Sequence, residues 1–144
     1  MDPDSFYAAS KVQVEALGAL YGKTWRCFDV VALRIGWCLY DDPTELCGTE
    51  YETYLRAMWL SRRDWVGFAT AALTAPVYGY CVAFAVSNNP ARIFELEPSI
   101  RLLGYRPQDS SDDFDWSRSA ESPPHPAEEP RSPSRSRSRE RVPR

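Results

Sequence analysis

The residues whose types and spacing could do chemistry are Tyr7 and Lys11, in the stretch FYAASK. Residues four positions apart lie on one face of a helix, about one turn from each other. A lysine ammonium near a phenol stabilises the phenolate, and such a phenol can exchange a proton with a substrate hydroxyl while a hydride moves elsewhere. The same pair also fits a half-buried tyrosine beside a surface lysine, because a lone Y-x-x-x-K is common by chance.

The element that carries this pair is a predicted helix from Phe6 to Tyr21. Ser5 can cap its first turn, and most of its residues favour helix. The segment CFDVVALRIG follows, rich in β-branched residues and free of turn formers before Gly36. This pattern is typical of a strand buried on both faces of a parallel sheet. We therefore predict a helix followed by a buried strand, which is half of an α/β unit.

The next part of the chain continues this alternation. A loop with a short helix at 51–56 leads to a helix that Ser61 can cap and that ends before Pro76. YCVAFAVS is the second predicted buried strand, and a last helix has Pro98 in its first turn and Gly104 at its end. Two such strands need paired neighbours and cover on both faces. We therefore expect this chain to be part of a larger fold.

Composition divides the chain into a domain at residues 1–106 and a tail at residues 107–144. The tail is acidic at first and then rich in arginine and serine, and it has too few large apolar residues to offset its ordering entropy. The net charge of −3 is too small to indicate a polyanionic partner. The final string, RSPSRSRSRERVPR, could bind RNA phosphates weakly, but we favour a tail without function and expect no nucleic-acid partner.

Metal and membrane sites are not predicted. No cysteine pair has C-x-x-C spacing and the one histidine, His125, lies in the tail, so a zinc site is not expected. The uncharged run from Val66 to Val86 is long enough to span a bilayer, but Pro76 and Gly79 interrupt it. No basic and then apolar leader follows the first residue, so we expect a cytoplasmic protein with reduced thiols.

Four segments occur in the order found in the extended short-chain dehydrogenase/reductases. They are YAASKVQVEALG, DVVALRIGW, WLSRRDWVGFATAAL and VSNNPARIFELEPSIRLLGYRPQD. The chain resembles the NAD-dependent epimerase/dehydratase branch of that family, and within it the uronate dehydrogenases and related aldose dehydrogenases. The resemblance covers about Pro3 to Asp109. It implies an incomplete Rossmann-like α/β fold, in which residues 1–106 are the C-terminal part of such a domain.

The resemblance also implies roles for individual residues. Tyr7 would be the general acid/base, and Lys11 would hold the cofactor ribose and stabilise the phenolate. The backbone at Ile35 and Gly36 would line the nicotinamide pocket, and Trp37 and the loop to Met58 would face the substrate. The cofactor would be NAD or NADP, and the substrate a sugar or a sugar acid.

The dinucleotide fingerprint of a complete Rossmann domain is missing from the 144 residues. That fingerprint is a glycine-rich turn that lets the backbone approach the pyrophosphate, and no two of the seven glycines form G-x-G. We therefore expect a truncated NAD(P)-dependent sugar oxidoreductase, of the aldose or uronate dehydrogenase or nucleotide-sugar epimerase type, that is inactive alone. The alternative is a non-catalytic binding module that works with a partner chain, such as a missing N-terminal half or a second copy.

Overall fold

The computed structural model describes residues 4–117, in which helices and strands alternate in the predicted order. The α-helices are α1 (Phe6–Ala19), α2 (Glu52–Met58), α3 (Arg62–Thr74) and α4 (Glu97–Leu103), and the strands are β1 (Val30–Ile35) and β2 (Tyr80–Ala85). Shorter pieces are a π-helical turn at Leu20–Thr24 and 3-10 turns at Pro43–Leu46 and Ser111–Asp113. The predicted α/β class is confirmed.

Local capping signals set most of the helix ends. Ser5 and Ser61 each accept a hydrogen bond from the backbone N–H three residues ahead, which caps α1 and α3. Gly104 ends α4 with a φ of 74°, in the left-handed region that favours glycine. The first helix differs slightly from the prediction, because its α-helical part ends at Ala19 and a π-helical turn continues to Thr24.

Strands β1 and β2 form a parallel two-stranded sheet. Their register runs from Val30 opposite Tyr80 to Ile35 opposite Ala85. Helix α3 lies in the connection between them, as expected where parallel neighbours are joined by a crossover.

Beyond their carboxyl ends, the continuations of β1 and β2 separate, and the segment that joins α2 to α3 lies between them. The Trp37 N–H donates to the Met58 carbonyl (2.6 Å), and the Trp37 carbonyl accepts from the Leu60 N–H (3.0 Å). On the other side, the Ser87 N–H donates to the Trp59 carbonyl (3.0 Å). This segment therefore binds both strand ends and opens the sheet at its carboxyl edge.

Helix α1 runs antiparallel to β1. Gly18 lies against Val30 at the start of the strand, where a Cβ on the glycine would be 3.1 Å from the valine side chain. One turn earlier in the helix, Glu15 pairs with Arg34 near the end of the strand. Tyr7 lies a further eight residues back, about 12 Å along the helix axis. The first turn of α1 therefore lies at the carboxyl edge of the sheet.

The best buried part of the molecule lies between α3, β2 and α4. Its buried residues are Ala57, Met58, Leu60, Phe68, Ala83, Ala85, Val86, Leu96 and Leu103.

Cover is much thinner around α1 and β1. Helix α1 has no buried residue, and no described strand pairs with the outer edge of β1. On the face of β1 away from α1, Val31 and Leu33 line an open groove of about 550 Å³ with Ala72 and Leu73 of α3. The prediction that both strands are buried on both faces therefore fits β2 better than β1, since β1 is only half-buried.

The packed unit extends past the predicted boundary between residues 106 and 107. The side chains that hold this continuation are a carboxylate, Asp64, and an amide, Asn89, both fully buried. Asp64 accepts hydrogen bonds from the N–H groups of Gln108 (2.7 Å) and Asp109 (3.1 Å), and Asn89 accepts one from the Ser111 N–H (2.9 Å). Residues 107–117 thus have buried polar partners that their composition did not indicate.

The rest of the predicted tail, residues 118–144 with its arginine–serine string, lies outside the described residues. Among the helices of residues 4–117, none combines the length and the hydropathy that a bilayer-spanning helix requires. The uncharged run at 66–86 forms most of α3, a turn and β2, which is the predicted helix, turn and strand.

Candidate active site

The predicted site residues lie at the carboxyl edge of the sheet, where open α/β folds bind their ligands. Tyr7 and Lys11 come from the start of α1, and Ile35, Gly36 and Trp37 come from the end of β1 and the residues that follow it.

The Tyr7 and Lys11 side chains are together on one exposed face of α1. The lysine Nζ lies 4.9 Å from the centroid of the tyrosine ring, and 72% of Tyr7 is exposed. The helix turn beneath them is fixed because Ser5 caps it and the Ser10 hydroxyl donates to the Tyr7 carbonyl (2.7 Å). The phenol is therefore open to a ligand and has a cation beside it.

Gly36 occupies a position where a side chain does not fit. Its N–H donates to the Ala85 carbonyl (2.8 Å), which extends the sheet pairing by one residue. A Cβ at this position would lie inside van der Waals contact with the Met58 carbonyl oxygen and 2.7 Å from a Val86 methyl carbon. Packing of the Met58 segment therefore accounts for this glycine without any ligand, while Ile35 beside it is exposed.

Trp37 belongs to an aromatic cluster, which we define as Trp37, Tyr40, Tyr51 and Tyr54. The tryptophan ring centroid lies 5.6 Å from that of Tyr54, 6.0 Å from that of Tyr51 and 6.1 Å from that of Tyr40. Tyr51 and Tyr54 are 50% and 51% exposed. The three tyrosines lie in the loop up to Met58 that was expected to face the substrate with Trp37, although the sequence did not single them out, and the density of aromatic residues between 37 and 59 was a usable signal.

A buried polar network lies beneath this edge and was also missed. The Asp64 carboxylate accepts hydrogen bonds from the hydroxyls of Ser87 (2.6 Å) and Tyr105 (2.8 Å), in addition to the two backbone N–H groups above. Burial is the main cause that raises the pKa of Tyr105 to about 12, and the hydrogen bond to this carboxylate is the second. The network joins α3, the end of β2 and the C-terminal segment into one unit.

Residues 111–117 hold the loop that carries the aromatic cluster. The Ser111 hydroxyl donates to the Arg56 carbonyl (2.8 Å), and the Cys47 thiol donates to the Trp116 carbonyl (3.0 Å). The Arg56 guanidinium lies 5.0 Å from the centroid of the Trp116 ring, and Phe114 packs edge-on against Trp59. Burial raises the pKa of the Cys47 thiol, which therefore stays protonated at neutral pH.

The described residues fit one end of a dinucleotide better than the other. The Tyr7–Lys11 pair presents a hydroxyl and an ammonium that could bind ribose hydroxyls, and Ile35, which is exposed, lies at the same edge. In the described part of the chain, neither strand is followed by the paired glycines that let a backbone bind a pyrophosphate. Nor does any group of three or more His, Cys, Asp or Glu side chains in residues 4–117 have the placement to bind a metal ion.

Comparison with known proteins gives sugar dehydrogenases, although no family model matches the chain. Over 113 residues it is 39% identical to L-arabinose 1-dehydrogenase (NAD(P)(+)) of Haloferax volcanii, covering 76% of this chain and 44% of that protein. Over 112 residues it is 33% identical to the NAD-dependent glucose-6-phosphate dehydrogenase of the same organism, covering 78% of this chain and 40% of that protein. The chain thus spans less than half the length of these curated relatives.

Solved structures give a matching result. A glucuronic acid dehydrogenase from Chromohalobacter salexigens superposes with a TM-score of 0.60 at 31% identity, covering 78% of this chain and 38% of that one. A uronate dehydrogenase from Agrobacterium tumefaciens superposes with a TM-score of 0.64 at 25% identity, covering 88% and 44%. These similarities confirm the predicted resemblance: the chain is a partial homologue of the NAD(P)-dependent sugar dehydrogenases, consistent with a C-terminal portion of their Rossmann-like domain.

Proposed function

We propose that this chain carries the proton-transfer and substrate-binding portion of an NAD(P)-dependent sugar dehydrogenase. The observation that supports the proposal most directly is the Tyr7–Lys11 pair, exposed at the carboxyl edge of a parallel sheet in a homologue of such enzymes. The reaction is oxidation of a sugar or sugar acid at a carbon that bears a hydroxyl group. The cofactor is NAD or NADP, since the names of the relatives include both forms.

Each residue has a defined part in this reaction. The Tyr7 phenolate takes the proton of the substrate hydroxyl, and the Lys11 ammonium stabilises that phenolate and binds the cofactor ribose. When bound, the cofactor supplies the nicotinamide that accepts the hydride. The backbone at Ile35 and Gly36 lines the nicotinamide pocket, and Trp37 faces the sugar. The carbon thus loses a hydride and its hydroxyl oxygen loses a proton, and together they become a carbonyl group.

The chain alone is inactive in this proposal, because its 144 residues contain no glycine-rich turn to bind the pyrophosphate. Its compartment is the cytoplasm, which suits the four free thiols. The proposed function involves no nucleic-acid partner.

A second candidate function is a binding module that pairs with another chain and does no chemistry. The observation that favours it is the thin cover on β1, whose outer edge and adjacent groove are open among the described residues. An open edge of this kind is suited to accept a strand from a partner.

A fusion protein tests the proposed function against this alternative. The unmatched N-terminal portion of the Haloferax L-arabinose dehydrogenase is joined ahead of Asp4, and NAD(P)H formation is followed with L-arabinose, glucose and glucuronate. The proposal expects turnover by the fusion and none by the 144-residue chain. A well-folded fusion that binds NAD and oxidises none of these sugars contradicts the proposal and favours the binding module.

A further inference from the structure

The aromatic cluster has the form of a sugar-binding surface. The ring centroids of Tyr51 and Tyr54 lie 6.0 Å and 5.6 Å from that of Trp37, and about half of each tyrosine is exposed. Aromatic rings bury large apolar areas at small cost in entropy, and tyrosine adds a hydroxyl that can bind polar groups at the rim. The C–H face of a sugar ring and its surrounding hydroxyls are complementary to such a surface.

This surface lies at the same edge of the sheet as Tyr7. Trp37 follows Arg34 by three residues, about 10 Å along the extended chain. Glu15 is the ion-pair partner of Arg34, and Tyr7 lies about 12 Å from Glu15 along α1, toward the same carboxyl edge of the sheet as Trp37. A sugar on the cluster is therefore on the side of the molecule that presents the phenol.

The charges around the cluster disfavour an anionic ligand. Residues 37–62 contain five carboxylates and two guanidinium groups, so their net charge is 2 − 5 = −3. Both arginines are already paired: Arg62 with Asp41 (2.6 Å), and Arg56 with Glu52 (3.8 Å) and Asp112 (3.5 Å). A carboxylate or phosphate on the ligand would meet this negative segment without a free guanidinium to bind it.

We propose that the aromatic cluster binds the C–H face of a neutral aldose, and that Tyr51 and Tyr54 together with the acidic segment select this aldose over uronates and sugar phosphates. This inference rests on the proposed function, because it names the substrate class of the same site. It also separates the relatives' substrate classes, since their names include a neutral sugar, a sugar phosphate and uronic acids.

The test is a binding measurement on the full 144-residue chain. The indole N–H signal of Trp37, assigned with Trp37→Phe, is followed by NMR during titration with L-arabinose, D-glucuronate or glucose 6-phosphate at equal ionic strength. L-Arabinose is expected to shift this signal in a saturable manner, and both anions are expected to bind more weakly.

Four variants sharpen the test. Tyr54→Ala is expected to weaken arabinose binding by about 3- to 10-fold, and Tyr51→Ala provides the same test if near-UV circular dichroism shows that the first variant does not fold. Glu50 is an exposed carboxylate of the acidic segment, next to Tyr51, and Glu50→Lys is expected to strengthen glucuronate binding by about 2- to 5-fold. Tyr78→Ala is the matched control, because Tyr78 is 88% exposed and precedes β2 at the opposite edge of the sheet.

The outcomes separate this inference from the proposed function. Glucuronate binding at Trp37 as strong as arabinose binding overturns the inference, and so does the absence of any response to arabinose. A fusion that prefers glucuronate to arabinose also overturns it, but leaves the dehydrogenase function standing. A fusion that is inactive with every sugar, while Trp37 still responds to arabinose, overturns the function and leaves the binding surface.

Discussion

Glu15 of α1 and Arg34 of β1 form a two-pronged ion pair, in which the guanidinium donates two hydrogen bonds of 2.8 Å to the two carboxylate oxygens. This pair fixes the direction of the helix that carries Tyr7. Since α1 has no buried residue, the pair and the Gly18–Val30 contact hold the helix where burial does not. The position of the phenol at the sheet edge therefore depends on a pair that water can reach.

We expect Glu15→Gln to lower the free energy of unfolding by about 0.5–1 kcal/mol at neutral pH. The hydrogen bonds from Arg34 hold the pKa of Glu15 below its usual value. The stability from the pair is therefore present above the unfolded-state pKa and is lost as the pH falls through the folded-state pKa.

Urea denaturation measured across this range gives the test, with Glu95→Gln as the control because Glu95 is exposed and has no ion pair among the described residues. In acid, the wild-type Glu15 carboxyl is protonated in both the folded and the unfolded state. If Glu15→Gln still lowers the free energy of unfolding there, this account is ruled out.

Tyr7→Phe in the active fusion is expected to reduce the rate of sugar oxidation by about 10²–10⁴-fold. The substitution removes the proton acceptor and leaves the helix and the ring in place. Steady-state assays provide the measurement, and Tyr78→Phe is the control for loss of an exposed phenol. If Tyr7→Phe keeps its rate within a few-fold of the parent, the pair is merely a helix face.

Asp64→Asn is expected to destabilise the chain by about 2–4 kcal/mol. One of the two carboxylate oxygens becomes an amide donor, so buried donors that now face it lose their acceptor. Chemical denaturation measures the loss, and limited proteolysis should show early cleavage between 105 and 117. Asp112→Asn, at an exposed carboxylate, should change stability by less than about 0.5 kcal/mol. Equal effects of the two substitutions would show that the network does not hold the segment.

Alkaline pH should release the same segment through Tyr105. Its pKa is raised from 10 to about 12 in the folded chain. The resulting stability is fully present below pH 10 and is lost as the pH rises through about 12. Burial also raises the pKa of Tyr80, so absorbance titration should show late-titrating phenols, one of which disappears in Tyr105→Phe. A titration in which Tyr105→Phe removes an ordinary phenol instead would contradict the assigned environment.

Local sequence signals predicted the order of elements well. Ser5, Ser61 and Gly104 act within a turn of their own positions, and the β-branched runs need no distant partner to be recognised. The Tyr7–Lys11 pair could be found for the same reason, because helical spacing alone brings the two side chains together.

Features that depend on distant partners could not be predicted. Residues 107–117 are composed like a tail, and their packing depends on Asp64 and Asn89, which are far from them in sequence. The three tyrosines of the aromatic cluster lie in an irregular loop, where no periodicity indicates which side chains meet Trp37.

The bridge between Trp37 and Trp59 has a consequence for how new specificities can arise in this fold. The loop of residues 38–58 leaves and re-enters the structure at neighbouring points, so its two ends stay together whatever its length. Doubling the length of such a loop costs only about 0.6 kcal/mol in closure entropy. The loop that bears Tyr40, Tyr51 and Tyr54 can therefore be lengthened, shortened or exchanged between relatives, while the helix that presents Tyr7 keeps its place.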